Sequence, residues 1–193
     1  MSNLPDKKST GKQEEKSQGQ QDYEKAQEFL KNGDIAQAAN AFHNSLLEFE
    51  QENNENGVAN ASDKLGDICG GRGDVETALK HYDRAYVICE KHADWPSLFS
   101  LEKKKAKLMY DAQEYDKAIN MYLKVLDEYS TLRNPKGAVE TLETLAEIYL
   151  KKGARQEAAD AYRAAAGIHQ SFKHSRHAQE LLDKAKAVEA GNN

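Results

Sequence analysis

The 193-residue sequence predicts an all-α fold, an α-solenoid of four helix pairs followed by a C-terminal capping helix. Two observations lead to this prediction. Charged residues make up 31% of the chain and only three residues are proline, a composition typical of helical proteins with a large solvated surface. In addition, a shift of 40 residues places small and aromatic residues over one another in four copies, with no insertions.

Residues 1–21 precede the regular pattern and are predicted to form a disordered polar tail. Besides the initiating Met, Leu4 is their only large aliphatic residue, and the rest are mainly Lys, Glu, Gln, Ser and Gly. Such a segment cannot bury enough apolar surface to offset the entropy lost on ordering. The repeat domain is therefore expected to span residues 22–190.

Each 40-residue copy has the pattern of a helix, a tight turn and a second helix. The turn residues are Gly33, Gly73, Gln113 and Gly153. Seven residues earlier stands a small residue: Ala26, Gly66, Ala106 or Ala146. Five residues later stands Ala38, Ala78, Ala118 or Ala158, and four residues after that Phe42, Tyr82, Tyr122 or Tyr162. Small residues allow two antiparallel helices to approach closely, and we expect the aromatic ring to fill the space opposite them.

The junctions between copies carry helix-start signals at equivalent positions. Asn54, Asp94 and Asn134 are good N-caps, and Pro96 and Pro135 suit a first helical turn. The copies are expected at about 19–56, 57–96, 97–136 and 137–174, with the capping helix at 175–190. An apolar stripe on that last helix, with a polar outer face, suits the exposed end of a solenoid; the stripe consists of Ala178, Leu181, Ala185 and Val188.

These residues resemble the tetratricopeptide repeat (TPR). The resemblance covers residues 22–190 and rests on Leu65-Gly66 in copy two, the A-x3-[FY] element in all copies and the Gly-Asp turn in two. The family's first-helix Trp is absent, and the period exceeds the usual ~34 residues, as in kinesin light chains and bacterial quorum-signalling regulators. The resemblance implies a right-handed solenoid and a non-catalytic adaptor or scaffold that binds a peptide or partner protein in an inner groove lined by the first helices.

Within the glycine-rich run Gly70-Gly71-Arg72-Gly73, Gly73 is interpreted as the turn between the paired helices of copy two, with Asp74 capping the following helix. A phosphate-binding glycine loop would need a preceding strand, and the pattern predicts none. The adhesion tripeptide Arg72-Gly73-Asp74 would need an extracellular chain, for which the sequence carries no signal.

Inward positions on the first helices are the candidate partner-binding residues. They are Tyr23, Gln27 and Leu30 in copy one, Asp63, Lys64 and Asp67 in copy two, Lys103, Lys104, Lys107 and Tyr110 in copy three, and Glu140, Glu143, Glu147 and Leu150 in copy four. This basic band between two acidic bands predicts a protein or peptide partner of mixed charge. The alternative is that Lys103 and Lys107 pair with Asp63, Asp67, Glu143 and Glu147, at ~0–1 kcal/mol for each exposed pair.

The carboxylate clamp of TPR co-chaperones is not expected here. Its first-copy positions hold Tyr23 and Gln27, and Asp63 and Asp67 would repel a carboxylate. Trp95 has two interpretations: it staples the start of its helix against the preceding pair, or it is an exposed anchor at an interface. The alternative function is a self-associating assembly protein that uses Trp95 or the repeat ends to form homo-oligomers.

Other classes of site are disfavoured. His169, His174 and His177 lack the cysteine or carboxylate that would complete a metal site, so no metal or other cofactor is expected. Cys69 and Cys89 are expected about 18 Å apart along antiparallel helices, beyond disulfide reach. Lys103–Lys107 has no interleaved aromatic residues for nucleic-acid stacking and lies in a chain of net charge −5. With no apolar run long enough for a bilayer and no signal peptide, a non-enzymatic, cytoplasmic protein without a membrane partner is predicted.

Overall fold

A computed structural model describes residues 16–191, which form nine α-helices and no strand. The helices are α1 (Gln18–Lys31), α2 (Ile35–Gln51), α3 (Glu55–Gly71), α4 (Val75–Lys91), α5 (Trp95–Asp111), α6 (Tyr115–Thr131), α7 (Pro135–Lys151), α8 (Arg155–Ser171) and α9 (Ser175–Glu189). The predicted all-α class, with four helix pairs and a last single helix, is confirmed. None of the helices within this range combines the length and the apolar character needed to cross a membrane.

Every turn between these helices has the same backbone form. One residue in each turn has a positive φ, and the series is Gly33, Asn53, Gly73, Ala93, Gln113, Arg133, Gly153 and Lys173. In the turn between α3 and α4, the Gly73 N–H donates to the Gly70 carbonyl and the Asp74 N–H donates to the Cys69 carbonyl, each at 3.0 Å. This is the hydrogen-bonded C-terminal stop that favours glycine in the left-handed region. A helix and its turn thus recur every 20 residues. The sequence pattern recurs only every 40 residues, because the two helices of a pair bury different side chains.

The N-caps predicted at the junctions are confirmed. The side chains of Asn54, Asp94 and Asn134 accept hydrogen bonds from backbone N–H groups three residues later, at 2.9, 3.3 and 3.0 Å. Asp74 does the same at the start of α4, at 3.1 Å. These bonds satisfy N–H groups that have no partner within the helix.

The described residues fall into two compact units, and the first ends at Ala61. In it, α1 packs on α2 through buried Ala26, Ala38 and Phe42. Phe49 is 2% exposed because Gly19 leaves room for its ring: a Cβ on Gly19 would lie 2.6 Å from the Phe49 Cδ1 atom.

Helix α1 begins at Gln18, four residues inside the segment 1–21 that was predicted to be a tail; residues 1–15 of that prediction lie outside the described part. Ser17 caps the helix by accepting from the Gln20 N–H. Glu52 then accepts from the Ser17 hydroxyl at 2.8 Å and from the Gly19 N–H at 3.0 Å. The predicted boundary is too late because these contacts come from Glu52, distant in sequence.

The second unit begins at Ser62 and contains the rest of α3 and helices α4 to α9. From α4 onward, each helix packs against the next. The predicted fit of a ring against a small residue is present: a Cβ on Gly66 would lie 2.5 Å from Tyr82 Cε1, and Tyr82 is 4% exposed. On α9 the predicted apolar stripe is buried against the core of α7 and α8.

Candidate functional site

The candidate binding residues of the second unit lie on α3 from Ser62 onward, on α5 and on α7; we call this set the first-helix surface. At its centre, Lys104 links α5 to α3. Its Nζ lies 2.6 and 2.7 Å from the two carboxylate oxygens of Asp63 and 2.8 Å from Oδ2 of Asp67. Tyr82 donates its hydroxyl to Oδ1 of Asp67 at 2.9 Å. Lys64 stands further off, with its Nζ 3.8 and 3.9 Å from these two carboxylates.

The interpretation that Lys103 and Lys107 pair with Asp63 and Asp67 is wrong, since Lys104 makes these contacts. Adjacent residues on a helix point about 100° apart, so only one of the consecutive lysines can face α3. Burial acts to lower the pKa of Lys104, but its hydrogen bonds to Asp63 and Asp67 outweigh that effect and raise it. Burial, followed by the charge of Asp67, raises the pKa of Tyr82. Lys104 therefore stays charged and Tyr82 neutral near pH 7, so both structural contacts persist.

The other two lysines of the basic band have different environments. The Nζ of Lys103 lies 4.9 Å from the Phe99 ring centre and 3.4 Å from the Tyr129 hydroxyl. Phe99 and Tyr129 themselves meet edge to face at 4.9 Å. Lys107 pairs with Asp111 one turn along its own helix at 2.5 Å, and its side chain is 68% exposed. Of these three lysines, Lys107 is the most accessible to a partner.

A cavity of about 230 Å³ opens between α3, α4 and α5, beside the Lys104 contacts. Its lining includes the backbone of Gly70 and Gly71, the side chains of Tyr82 and Leu108, and the Lys107–Asp111 pair. The sequence pattern was interpreted only at Gly73 and Asp74, so the cavity beside the two glycines was not predicted. The sequence did carry a signal for it, because Gly70 has no side chain where the equivalent residue in each other copy, Leu30, Tyr110 or Leu150, is large.

Two lysines partly neutralise the acidic band on α7, one from the capping helix α9 and one from α7 itself. Glu143 lies 3.7 Å from Lys184 of the capping helix α9, and Glu140 lies 3.9 Å from Lys136 on its own helix. The sequence reasoning missed Lys184 because it assigned α9 only a capping role. Glu147 is exposed and contributes negative charge near Tyr122, whose pKa is raised to about 12, first by burial and then by Asp111, Tyr110 and Glu147.

The remaining candidates are dispersed. In the first unit, the ring of Tyr23 packs against Phe42 at 5.2 Å between centres, whereas Gln27 is exposed. Tyr110 on α5 is half-buried, with its ring 6.4 Å from that of Tyr115. Trp95 is the first residue of α5 and is 71% exposed. The stapling interpretation of Trp95 is therefore wrong, since a staple would bury the ring.

The three C-terminal histidines cluster on the surface where α8 meets α9. The ring centre of His169 lies 5.6 Å from that of His174 and 5.2 Å from that of His177. Within residues 16–191, no group of three His, Cys, Asp or Glu side chains has a geometry that could hold a metal ion. Cys69 and Cys89 are free thiols, and burial is the main cause of the raised pKa of each.

Comparisons with known proteins agree on the fold. RapI in its apo form superposes with a TM-score of 0.73 at 14% identity, over 88% of this chain and 48% of RapI, so the chain spans about half the length of that protein. A putative kinesin light chain from Podosopora anserina with nearly identical TPR-like repeats gives 0.61 at 16% identity, over 90% of this chain and 96% of the other. MamA from Desulfovibrio magneticus RS-1 gives 0.56 at 13% identity, over 91% and 97%. No curated protein matches the sequence.

Two family models match the sequence itself. A tetratricopeptide repeat model matches residues 103–171, in agreement with the resemblance found in the repeats. The model of the soluble NSF attachment protein, SNAP, matches residues 7–134, which is more than half of the chain. The chain therefore belongs to the soluble NSF attachment protein (SNAP) family, and its fold is built from TPR-type helix pairs.

Proposed function

We propose that this protein is a non-catalytic adaptor that binds a peptide or a partner protein of mixed charge on the first-helix surface. The observation that supports this is the Lys107–Asp111 pair, accessible on α5 beside a cavity. An exposed pair of this kind contributes at most about 1 kcal/mol to stability. A charged group of a partner can therefore bind Lys107 or Asp111 in place of the other residue with little loss of folding free energy. Glu147, exposed on α7, adds negative charge for a basic segment of the same partner.

Names of related proteins support a role in partner binding. One similar solved structure is a Rap protein complexed with competence and sporulation factor, with a TM-score of 0.59 and 16% identity. The family description names attachment to NSF. For this chain we carry over only the binding of a partner, and NSF is the first candidate to test.

The test compares two charge reversals. Lys107→Glu removes the accessible cation of the first-helix surface. Lys80→Glu is the matched control, because Lys80 pairs with Glu76 in the same one-turn arrangement at 2.7 Å and is 69% exposed on α4, a second helix of a pair. Full-length chain is immobilised, and binding of NSF, or of a partner isolated with the wild type, is titrated.

We expect Lys107→Glu to weaken binding about tenfold or more, equivalent to about 1.4 kcal/mol, and Lys80→Glu to leave it within about twofold. Equal affinity of all three chains would contradict the proposal. Both variants alter exposed one-turn pairs, so neither is expected to disturb folding by more than about 0.5 kcal/mol.

A second candidate function is self-association through Trp95. This ring is 71% exposed, and Leu132 and Phe172 are 57% and 54% exposed at two later turns between pairs. Large exposed apolar side chains are common at interfaces. If self-association is the function, light scattering will show a mass that rises with concentration and returns to that of the monomer in Trp95→Ser. A constant monomer mass favours the adaptor.

A further inference from the structure

The end of α3 departs from the pattern of the other first helices. The residue three positions before the turn glycine is large and half-buried in the other copies, where it is Leu30, Tyr110 or Leu150. In α3 the equivalent residue is Gly70, followed by Gly71. Two glycines in the last turn of a helix cost stability relative to alanine, so their presence calls for a reason beyond local conformation.

The cavity of about 230 Å³ lies where these side chains are missing. Its size is below the roughly 300–1,000 Å³ typical of small-molecule sites and suits a single side chain. Leu108 and the ring of Tyr82 line it, together with the glycine backbone. These groups form the apolar part of the wall, and that part favours an apolar occupant.

The polar groups in the lining do not call for a charged occupant. Asp67 accepts from both Lys104 and Tyr82, and Lys104 also binds Asp63, so these groups already have partners. Two lysines and two aspartates line the cavity, so their formal charges cancel. Only the Lys107–Asp111 pair is largely exposed, and it can meet the polar backbone or flanking charges of a bound peptide.

We propose that this cavity is a pocket for one large apolar side chain, of leucine or tyrosine size, supplied by the bound partner. The partner side chain would take the place of the one that the chain itself supplies at the equivalent position in its other copies. This inference rests on the proposed function, because it names the anchor residue of the same partner.

Gly71 lines the cavity and offers a position at its wall where a side chain can be added without disturbing the core. A Cβ on Gly71 would have no heavy atom within 4 Å, and its φ is not in the left-handed region. By contrast, a Cβ on Gly70 would lie 3.1 Å from Leu108 Cδ1, so larger residues there must displace Leu108. Gly71→Leu is therefore the test variant. Gly167→Leu is its matched control, since Gly167 is an exposed helical glycine on α8 that is equally free of neighbours.

The experiment titrates full-length, ¹⁵N-labelled chain with capped amino acids and follows backbone amide shifts by NMR. N-acetyl-leucinamide and N-acetyl-tyrosinamide are the apolar probes, and N-acetyl-lysinamide and the corresponding aspartate amide are the charged comparators. We expect saturable amide shifts at Gly70, Gly71 and Leu108 with the apolar probes. The charged probes should bind at least about fivefold more weakly than the apolar ones. Gly71→Leu should abolish the shifts, and Gly167→Leu should retain them.

Any one of three results would overturn the proposed pocket: no saturable shifts with the apolar probes, charged probes that bind as tightly as the apolar ones, or shifts in Gly71→Leu that are the same as in the wild type. A selection of binders from a random displayed peptide library distinguishes failure of the pocket from failure of the proposed adaptor function. Peptides that lose affinity in Lys107→Glu but not in Gly71→Leu reject the pocket and keep the adaptor. Probe binding without any peptide or protein ligand keeps the pocket and rejects the adaptor. Apolar probes that dissociate a dimer of the chain would identify a second copy as occupant and overturn the assignment to a partner.

Discussion

Replacing Gly66 by alanine tests the close contact between the two helices of copy two. The new Cβ would lie 2.5 Å from Tyr82 Cε1 and 2.6 Å from its Cδ1, well inside contact distance. The Tyr82 ring has little freedom to retreat, because it is 4% exposed and its hydroxyl is bonded to Asp67. One methyl group therefore has to separate α3 from α4 or displace the ring.

The expected magnitude is a difference between two opposing effects. Overpacking a core by a methyl group costs about 1–3 kcal/mol, whereas alanine is favoured over glycine inside a helix by about 1 kcal/mol. Gly167→Ala isolates the second effect, because a Cβ there meets nothing within 4 Å. We expect Gly167→Ala to stabilise the chain by up to about 1 kcal/mol and Gly66→Ala to fall about 2 kcal/mol below it.

The assay is thermal unfolding of both variants followed by circular dichroism at 222 nm. For a chain of this length, 1 kcal/mol corresponds to about 2–4 °C, so the two midpoints should differ by about 4–8 °C. Adding Tyr82→Leu to Gly66→Ala should recover part of the loss, since the smaller side chain frees the space. Equal midpoints for Gly66→Ala and Gly167→Ala would refute the ring-against-glycine packing of this pair.

Three further predictions concern stability and are checked by urea unfolding. Lys104→Ala removes the cation closest to Asp63 and Asp67, with only the more distant Lys64 remaining, and should cost about 2 kcal/mol. Lys107→Ala should cost less than about 0.5 kcal/mol, and equal losses would contradict the described contacts. Gln113→Gly should raise the free energy of unfolding by about 0.5–1 kcal/mol, because Gln113 has a φ of 60°, where glycine is not strained. A lower free energy of unfolding would argue against that turn. The pKa of Tyr122 is raised to about 12, mainly by burial, so the stability that its neutral hydroxyl contributes is complete below pH 10 and is lost as the pH rises towards 12. Tyr122→Phe should flatten this fall in the free energy of unfolding, and an unchanged slope would contradict the prediction.

Features set by local pattern could be predicted from the sequence. The turns at Gly33, Gly73 and Gly153 follow from glycine at multiples of 40 residues. Gly66 opposite Tyr82 follows from the recurrence of small and aromatic residues. The N-caps at Asn54 and Asn134 were predictable for the same reason, since a cap depends on residues only three positions apart.

Features that depend on distant residues could not be predicted. Choosing Lys104 over Lys103 requires the rotation of α5 relative to α3, and the pairing of Glu143 requires the position of Lys184 on α9. Likewise, α1 starts early because Glu52 binds its first turn. Membership of the SNAP family was not predicted either, since the repeat pattern alone indicates only the TPR class.

Hydrogen exchange on the full chain with and without its bound partner tests the first-helix surface most directly. If the partner binds there, exchange slows in α3 after Ser62, around Lys107 on α5 and around Glu147 on α7, and stays unchanged in α4, α6 and α8. Protection restricted to α4, α6 and α8, or to the turn before Trp95, would contradict it.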